Sequence, residues 1–158
     1  MRYILLDRVV ELTPGERIVA EKALSLAEEY LADHFPTFPV LPGVLMLEGL
    51  VQAAAMLVRV TNGFRQSIVQ LAEVRNVKYK SFVKPGRILR LEVTAKSLEE
   101  AVSSFVGTGG VDGQAAVEAR FTLRHYNLAE RNPAWAATDA EIVEAMRRRA
   151  RLVGACQG

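Results

Sequence analysis

One apolar segment constrains the fold more than any other part of this chain. Residues 43–58, GVLMLEGLVQAAAMLV, carry only two polar side chains, Glu48 and Gln52. Pro42 favours a helix that begins at this point, and sixteen residues make a helix about 24 Å long. A helix that is apolar on every side is expected to be buried on every side. Its short length and its central carboxylate argue against a membrane span.

The residues that follow this segment have the pattern of an antiparallel sheet. Apolar and polar side chains alternate in most of the region, as they do in strands with one buried face. Asp112-Gly113 is typical of a tight hairpin turn. The alternation is interrupted near residues 73–76, which predicts a β-bulge there. The predicted strands are 68–80, 87–96, 101–111 and 114–125.

The residues before the helix predict one strand and a rigid loop. Residues 17–24 form the predicted first strand, and residues 25–33 form a short helix or turn. Residues 34–42 contain three prolines, which exclude a helix and most ladder pairing. The whole order predicts an α+β fold, in which an antiparallel sheet wraps around a long buried central helix.

The C-terminal residues predict an extension to this domain. A chain of 158 residues is expected to form one domain, which we assign to residues 1–130. Residues 131–158 then form a C-terminal extension with an amphipathic helix at 139–153. Thr138 and Glu141 have the spacing of a capping box at the start of that helix.

Composition excludes several classes of function. A formal net charge of +2 is too small to predict nucleic-acid binding, and two histidines with one cysteine argue against a Cys/His zinc site. Cys156 has no second cysteine for an internal disulfide, which is typical of a reducing cytosol. The first ten residues are too short and become charged too early for a signal peptide. We therefore expect a cytoplasmic protein without a membrane span.

Glu48 and Gln52 are the two residues of the apolar helix that need an explanation. A charged carboxylate in apolar surroundings is costly, so we expect Glu48 to be kept neutral. A neutral carboxylic acid is a competent general acid. Gln52 follows at i+4 on the same helix face, where its amide can orient the carboxyl. The alternative is that Glu48 reaches solvent or a partner chain and has only a structural role.

Gly43 and His34 are two further candidates. Gly43 opens the helix after a proline, where an unpaired N–H and the positive end of the helix dipole favour a carbonyl oxygen that gains negative charge. A plain tight turn explains the same Pro-Gly pair. His34 begins the proline-rich loop and can accept a proton near neutral pH, although a loop histidine is often simply exposed. His125 shares the parity of a predicted apolar strand face, so we assign it to the core or to an interface.

These residues together carry a family resemblance. Positions 34–52, HFPTFPVLPGVLMLEGLVQ, resemble the active-site segment of the 3-hydroxyacyl-[acyl-carrier-protein] dehydratases of type II fatty acid synthesis, which have the hotdog fold. The family pattern is His-Phe-Pro, then Pro-x-x-Pro-Gly-Val, with a Glu fourteen residues after the His and a Gln four further. The resemblance covers about residues 3–124. The matching positions are His34, Phe35, Pro36, Pro39, Pro42, Gly43, Val44, Glu48 and Gln52.

The resemblance implies an activity and a role for each residue. The substrate would be a (3R)-3-hydroxyacyl thioester on acyl carrier protein, and the products a trans-2-enoyl thioester and water. The Gly43 N–H would polarise the thioester carbonyl, and His34 would remove the C2 proton. Glu48, positioned by Gln52, would protonate the departing hydroxyl. The family implies no metal or organic cofactor, and it implies a homodimer or a trimer of dimers in which His34 and Glu48 face each other across an interface.

Three departures from the family pattern keep other functions open. Asp33 and Thr37 stand where the family has glycine, and Phe38 stands where a polar or basic residue is common. We expect the larger side chains to narrow the substrate tunnel. The alternatives are an acyl-CoA hydratase or an acyl thioesterase of the same fold, a dehydratase that also isomerises the double bond, and a catalytically silent partner subunit. Glu48 argues against the isomerising class, which typically has Asp at this position.

A basic cluster near the C-terminus is the last candidate site. Arginines at the end of a helix suit its dipole and stay solvated, which needs no further function. The alternative is a docking patch for the acidic carrier protein. The cluster consists of Arg147, Arg148, Arg149 and Arg151.

Overall fold

The helix α1 (Gly43–Thr61) lies at the centre of the fold in a computed structural model that describes residues 3–156. It begins directly after Pro42, as predicted, and continues three residues beyond the predicted end at position 58. The helix stops at Asn62-Gly63, where Gly63 takes a φ of +68°. This left-handed conformation ends helices and is accessible mainly to glycine.

Six antiparallel strands of the described chain form one sheet that packs against α1. They pair in the order β1-β2-β4-β5-β6-β3, so β1 and β3 are the two edges. The predicted α+β class, with an antiparallel sheet around a central helix, is confirmed. The strands are β1 (Arg8–Thr13), β2 (Arg17–Ala23), β3 (Ile68–Tyr79), β4 (Ile88–Leu98), β5 (Val102–Val111) and β6 (Gln114–Tyr126).

The sequence pattern does not predict the edge strand β1. Val9 and Val10 stand side by side in it, and Val10 is 45% exposed. An edge strand with no fully buried face lacks the alternation on which strand prediction depends. Between β2 and α1, only Glu29–Leu31 forms a helical turn, of the 3-10 type, within the predicted short helix or turn at 25–33.

Two local features of the sheet agree with the sequence. Asp112 and Gly113 have φ values of +49° and +80°, as in the tight turns that join neighbouring strands. The predicted hairpin between β5 and β6 is therefore confirmed. The pairing of β3 with β6 shifts register after Leu71 and again after Arg75. These shifts confirm the bulge predicted at residues 73–76.

Small residues let α1 approach the sheet closely. A Cβ added to Gly107 of β5 would lie 3.2 Å from both terminal methyl carbons of Leu50 and from the Phe121 ring. A Cβ on Gly49 of α1 would likewise lie 3.2 Å from Leu91. Leu50 is fully buried at this contact, and burial of a leucine contributes about 1.5–3 kcal/mol to stability. The sheet face of α1 is thus a tightly packed core.

The opposite face of α1 is open within the single chain. Val44 is 67% exposed, and Leu47, Glu48 and Ala55 are only partly buried. The expectation that the helix is buried on all sides is therefore wrong for one chain. One sheet can cover only one side of a helix. The apolar residues of the other side therefore stay partly exposed unless a second surface packs on them.

By length and composition, α1 also passes as a candidate membrane span. Of the apolar window that meets this criterion, 56% is buried inside the fold. The core helix of a folded domain has the same properties, so the criterion is weak evidence for a membrane span.

The C-terminal helix α2 (Ala136–Leu152) begins earlier than predicted. The predicted capping box of Thr138 and Glu141 is wrong, because Trp135 is the N-cap and Thr138 lies inside the helix. The side chain of Asn132 caps the preceding 3-10 turn by accepting from a backbone N–H. This turn leads directly into α2, so the helix starts before the residues that resemble a cap.

Asp139 anchors the start of α2 to the body of the protein. Its carboxylate accepts hydrogen bonds from the Ser67 hydroxyl and from the N–H groups of Leu128 and Ala129, the latter two at 2.9 Å. Burial alone would raise the pKa of Asp139, but these hydrogen bonds hold the pKa below its usual range. At the other end of α2, the fully buried Ala150 packs into the core.

Candidate active site

The proline-rich loop fixes the imidazole of His34. Its Nδ1 lies 3.1 Å from the carbonyl oxygen of Val40, and the Val40 N–H donates to the His34 carbonyl at 3.0 Å. A carbonyl oxygen can only accept, so Nδ1 carries the proton in this contact. The neutral ring therefore keeps an unprotonated Nε2, which is the form that a general base needs.

Exposed aromatic side chains lie in and beside this loop. Phe35 stacks on the His34 ring with centroids 4.3 Å apart, and Phe38 packs edge-on against Phe82 at 5.8 Å. The aromatic patch, by which we mean Phe35, Phe38 and Phe82, is between 43% and 67% exposed. Exposed apolar surface of this kind is typical of a binding or interaction site. Its neighbour His34 is thus available at the edge of an apolar surface.

Glu48 lies partly buried on the open face of α1. The expectation that its own chain encloses the carboxyl is not met, because the sheet covers the opposite side of the helix. The Gln52 amide nitrogen donates to Glu48 Oε1 at 3.0 Å and to the Tyr3 carbonyl at 2.8 Å. The Gln52 amide oxygen accepts from the Leu5 N–H at 3.0 Å. Three contacts therefore fix the amide that holds the carboxyl, as the i,i+4 spacing predicts.

Gly43 provides the first N–H of α1. The first N–H groups of a helix have no partner within the helix and lie at the positive end of its dipole. A Cβ at Gly43 would lie 3.0 to 3.3 Å from three carbons of the Tyr79 ring. Only glycine therefore fits between this N–H and Tyr79 without a shift. Partial burial of the phenol raises the pKa of Tyr79.

The structure brings some of the predicted site residues together and leaves others apart. Glu48 and Gln52 are joined by a hydrogen bond, whereas His34 and Glu48 share neither a hydrogen bond nor an ion pair within residues 3–156 of one chain. Gly43 begins the helix that carries Glu48, and His34 lies on the loop that leads into it. In the same stretch of chain, no group of three His, Cys, Asp or Glu side chains is placed to hold a metal ion. The catalytic roles of these residues stay predictions.

His125 has a place in the core, as the sequence predicts. It is 2% exposed, and its Nε2 and Nδ1 lie 2.8 Å from the Ser103 hydroxyl and 2.9 Å from the Glu100 carbonyl. Burial lowers the pKa of His125, and the nearby charge of Arg59 lowers it further. Because Ser103 is fully buried, this serine–histidine pair is closed to a substrate.

Two arginines of the basic cluster attach α2 to the rest of the chain. Arg147 donates to the Gly63 carbonyl at 3.0 Å, and its guanidinium lies 4.8 Å over the Phe64 ring. Arg149 donates to the Leu6 carbonyl at 3.0 Å. These two residues therefore have structural contacts that the linear sequence does not reveal.

The other two arginines of the cluster remain at the surface. Arg148 and Arg151 lie 3.4 Å and 3.7 Å from Glu144, and all three side chains are about half exposed. Ion pairs with this exposure contribute little to stability. They leave the positive charges accessible to a partner.

Sequence reasoning misses two residues, one beside Gly43 and one further along α1. Tyr79 belongs to an alternating strand, where nothing distinguishes it from its neighbours until the sheet places it against Gly43. Arg59 lies just beyond the predicted end of the apolar helix and is only 8% exposed. The sequence analysis ended the helix at residue 58, so Arg59 lay outside it. A helix predicted to continue to Thr61 would have included Arg59.

Comparisons with known proteins cover most of the chain. Residues 1–120 match the family model described as FabA-like domain. The 3-hydroxyacyl-[acyl-carrier-protein] dehydratase FabZ of Oenococcus oeni is 39% identical over 116 residues, which are 73% of this chain and 84% of that protein. The corresponding FabZ of an Anaeromyxobacter strain is 39% identical over 122 residues, 75% of this chain and 78% of the relative.

A solved structure shares the fold at much lower identity. A chain of the dehydratase heterocomplex ApeI:P from Xenorhabdus doucetiae superposes with a TM-score of 0.70. The superposition covers 85% of this chain and 90% of that chain, at 18% sequence identity. A likeness at this identity shows a common fold and nothing further.

Proposed function

The chain belongs to the FabA-like family, and on this premise we propose that it is a 3-hydroxyacyl-[acyl-carrier-protein] dehydratase of fatty acid synthesis. It removes water from a (3R)-3-hydroxyacyl thioester on acyl carrier protein and leaves a trans-2-enoyl thioester. The family and the hotdog fold predicted from the sequence are confirmed by the matches to FabA-like and FabZ proteins and to a related fold.

In the proposed reaction, Gly43 and His34 act on the first two carbons of the acyl group. The Gly43 N–H donates to the thioester carbonyl oxygen, which gains negative charge as C2 loses its proton. His34 Nε2 takes that proton, and the electron pair of the C2–H bond becomes the second bond between C2 and C3. The imidazole is ready for this step because its Nδ1–H is already held by Val40.

Glu48 and Gln52 act on the leaving group in the same proposal. Glu48 gives its proton to the 3-hydroxyl as the C3–O bond breaks, so the oxygen leaves as water rather than as hydroxide. Gln52 holds the carboxyl in place through the 3.0 Å hydrogen bond to Oε1. After the step His34 carries the extra proton and Glu48 lacks one, and proton exchange with solvent restores both.

The observation that carries this proposal is the contact between His34 Nδ1 and the Val40 carbonyl. It assigns the proton to one ring nitrogen and leaves the other free at an exposed apolar surface. An enzyme that abstracts a C2 proton needs a base in this form, beside a surface that accepts an acyl chain.

We further propose a homodimer, alone or as three dimers in one assembly, in which one chain supplies His34 and the other supplies Glu48. Two features support it. β3 is a 12-residue edge strand that pairs only with β6 in the described chain, and long open edges favour pairing with another chain. The open apolar face of α1 also lacks a covering surface, which a second chain would provide.

The remaining parts of the proposal concern domains, partner and compartment. Residues 1–130 form the catalytic unit, and residues 131–158 form an extension whose helix α2 packs on that unit. Acyl carrier protein binds at the exposed arginines of α2, Arg148 and Arg151. The reaction takes place in the cytoplasm, where a lone thiol such as Cys156 stays reduced.

Hydration of an enoyl thioester, the reverse reaction, tests the proposed function. We expect His34→Ala and Glu48→Gln each to lower the rate by about 10²- to 10⁴-fold, the usual contribution of a general acid or base. Near wild-type rates in both folded variants would overturn the proposal. An assay for released thiol on the same thioesters distinguishes a dehydratase from a thioesterase. A comparison of the rates with acyl-CoA and with the carrier-protein thioester distinguishes it from a CoA hydratase.

A further inference from the structure

A cavity of about 600 Å³ lies next to Gln52 and away from the aromatic patch. Helix α1, the N-terminal segment, the start of β3 and α2 line it, and one side is open to solvent. Most of its walls are apolar, and the polar side-chain groups of its lining residues are one amide, one phenol and three guanidinium groups. It is lined by Tyr3, Ile4, Leu6, Gln52, Ala55, Met56, Arg59, Val69, Ala145, Met146, Arg148 and Arg149.

The cavity continues the face of α1 that carries Glu48. Gln52 and Arg59 follow Glu48 by four and eleven residues, and these spacings place all three on one stripe of a helix with 3.6 residues per turn. Eleven residues correspond to about 16 Å along the axis. The stripe therefore runs from the proposed acid, past its positioning amide, to Arg59, which lines the cavity.

Arg59 is buried without full compensation. It is 8% exposed, and its Nη2 donates to the Ser67 carbonyl at 3.0 Å. Among the described residues, Nη1 finds no hydrogen-bond acceptor. Burial lowers the pKa of Arg59 to about 10, so the group keeps its charge near neutral pH. A buried charge with an unused donor favours a ligand that brings an acceptor.

The cavity offers this charge to an anion. No Asp or Glu is among the described residues that line it. Arg149 is engaged by the Leu6 carbonyl, and Arg148 forms a solvent-exposed ion pair with Glu144. Arg59 thus lines the cavity in a positive field with apolar walls around it. An apolar chain with an anionic end matches these surroundings.

We propose that this cavity receives the far end of the acyl chain and that Arg59 binds a carboxylate at that end. The inference rests on the proposed function, since it places the 3-hydroxyl at Glu48 and the rest of the chain along the same helix stripe. The substrate class is a 3-hydroxyacyl thioester whose terminal carbon carries a carboxylate. Arg59 is then a specificity-determining residue for this reaction.

Methionine methyl NMR on the full chain tests the cavity without requiring turnover. Met56 and Met146 line it, whereas Met46 is buried elsewhere in the core and reports any general change of structure. The probes are a linear dicarboxylic acid that spans about 16 Å and the monocarboxylic acid of equal length. We expect the diacid to shift both lining methyls and to bind roughly tenfold more tightly than the monoacid, the effect of one charge-assisted hydrogen bond.

Variants of Arg59 identify the group responsible. Arg59→Met should abolish the preference for the diacid, and Arg59→Lys should retain part of it. Arg124→Met, an exposed change on β6, should leave the preference intact. Two results would overturn the inference even if Arg59→Met does not fold. One is equal affinity of the two acids for the wild-type chain, and the other is binding that leaves the methyl chemical shifts of Met56 and Met146 unchanged.

Kinetics then separate this inference from the proposed function. We expect kcat/KM for a terminally carboxylated 3-hydroxyacyl thioester to exceed that for the unsubstituted thioester by roughly tenfold, and Arg59→Met to remove the difference. Turnover of both thioesters at equal efficiency overturns the inference but agrees with the proposed dehydratase function. Tighter diacid binding without turnover of either thioester supports the cavity and overturns the dehydratase.

Discussion

The amide nitrogen of Gln52 lies 3.0 Å from the carboxyl of Glu48, one turn earlier on the same helix. The same amide group also holds the N-terminal segment through the Tyr3 carbonyl and the Leu5 N–H. Gln52 therefore links the orientation of the proposed acid to the position of the segment that covers this part of α1.

Replacement of Gln52 should affect catalysis more than substrate binding. We expect Gln52→Leu to lower kcat by about 10- to 100-fold with little change in KM, because a misplaced acid affects the transition state and not the bound thioester. Steady-state hydration of an enoyl thioester measures both constants. Gln114→Leu, on the exposed β5–β6 hairpin, is the matched control. An unchanged kcat in folded Gln52→Leu would contradict the positioning role.

A methyl group at Gly43 should block the thioester carbonyl. We expect Gly43→Ala to lower kcat/KM at least about tenfold, while the exposed Tyr79 ring moves aside at a cost of about 1 kcal/mol in the free energy of unfolding. The double variant Gly43→Ala/Tyr79→Leu removes the ring. If the double variant regains full activity, the glycine serves only the packing of Tyr79 and does not bind the carbonyl.

Two inactive variants should restore each other in a mixed dimer. When His34→Ala and Glu48→Gln chains are refolded together, half of the dimers are mixed, and each mixed dimer has one site with both groups intact. We therefore expect about a quarter of the wild-type hydration rate. A rate no higher than that of the separate variants would place both groups of a site on one chain.

Leu71→Asp on the β3 edge should weaken the dimer in sedimentation experiments.

Stability should fall on mild acidification because of His125. Burial lowers the pKa of His125 in the folded chain, so the unfolded chain binds this proton more readily. The stabilisation is complete above the unfolded pKa, about 6.5, and is lost as the pH falls below it toward the lowered folded pKa. Urea unfolding at neutral pH and near pH 5 measures the slope. His125→Gln should flatten the slope, and an unchanged slope in this variant would contradict the role of His125.

Charge reversal at the exposed end of α2 should weaken carrier-protein binding. We expect Arg148→Glu/Arg151→Glu to reduce affinity about 3- to 10-fold at low salt and less at high salt, because the interaction is long-range and screened. These two side chains are chosen because Arg147 and Arg149 attach α2 to the body. Arg120→Glu/Arg124→Glu, at two exposed positions of β6, carries the same charge change away from α2. An equal loss for both variants would assign the effect to net charge and not to a docking patch.

Local pattern was sufficient for much of the architecture. The apolar run after Pro42 predicts α1, and alternation predicts the strands from β2 onward, because each depends on which side chains neighbour one another along the chain. The Asp112-Gly113 turn and the bulge in β3 are equally local. The spacing of Glu48 and Gln52 sufficed for their hydrogen bond, since one helical turn separates them.

Other features depend on which distant segments meet, and only the folded chain reveals them. The packing of segments that are far apart in the sequence leaves one face of α1 open and places Tyr79 against Gly43. It also surrounds Arg59 with apolar side chains. The capping box predicted at Thr138 fails for the same reason, because a preceding turn starts α2 earlier. The burial of a residue and the pairing of its charge depend on which side chains surround it in three dimensions. The sequence pattern predicts them only where these neighbours are also close in the sequence.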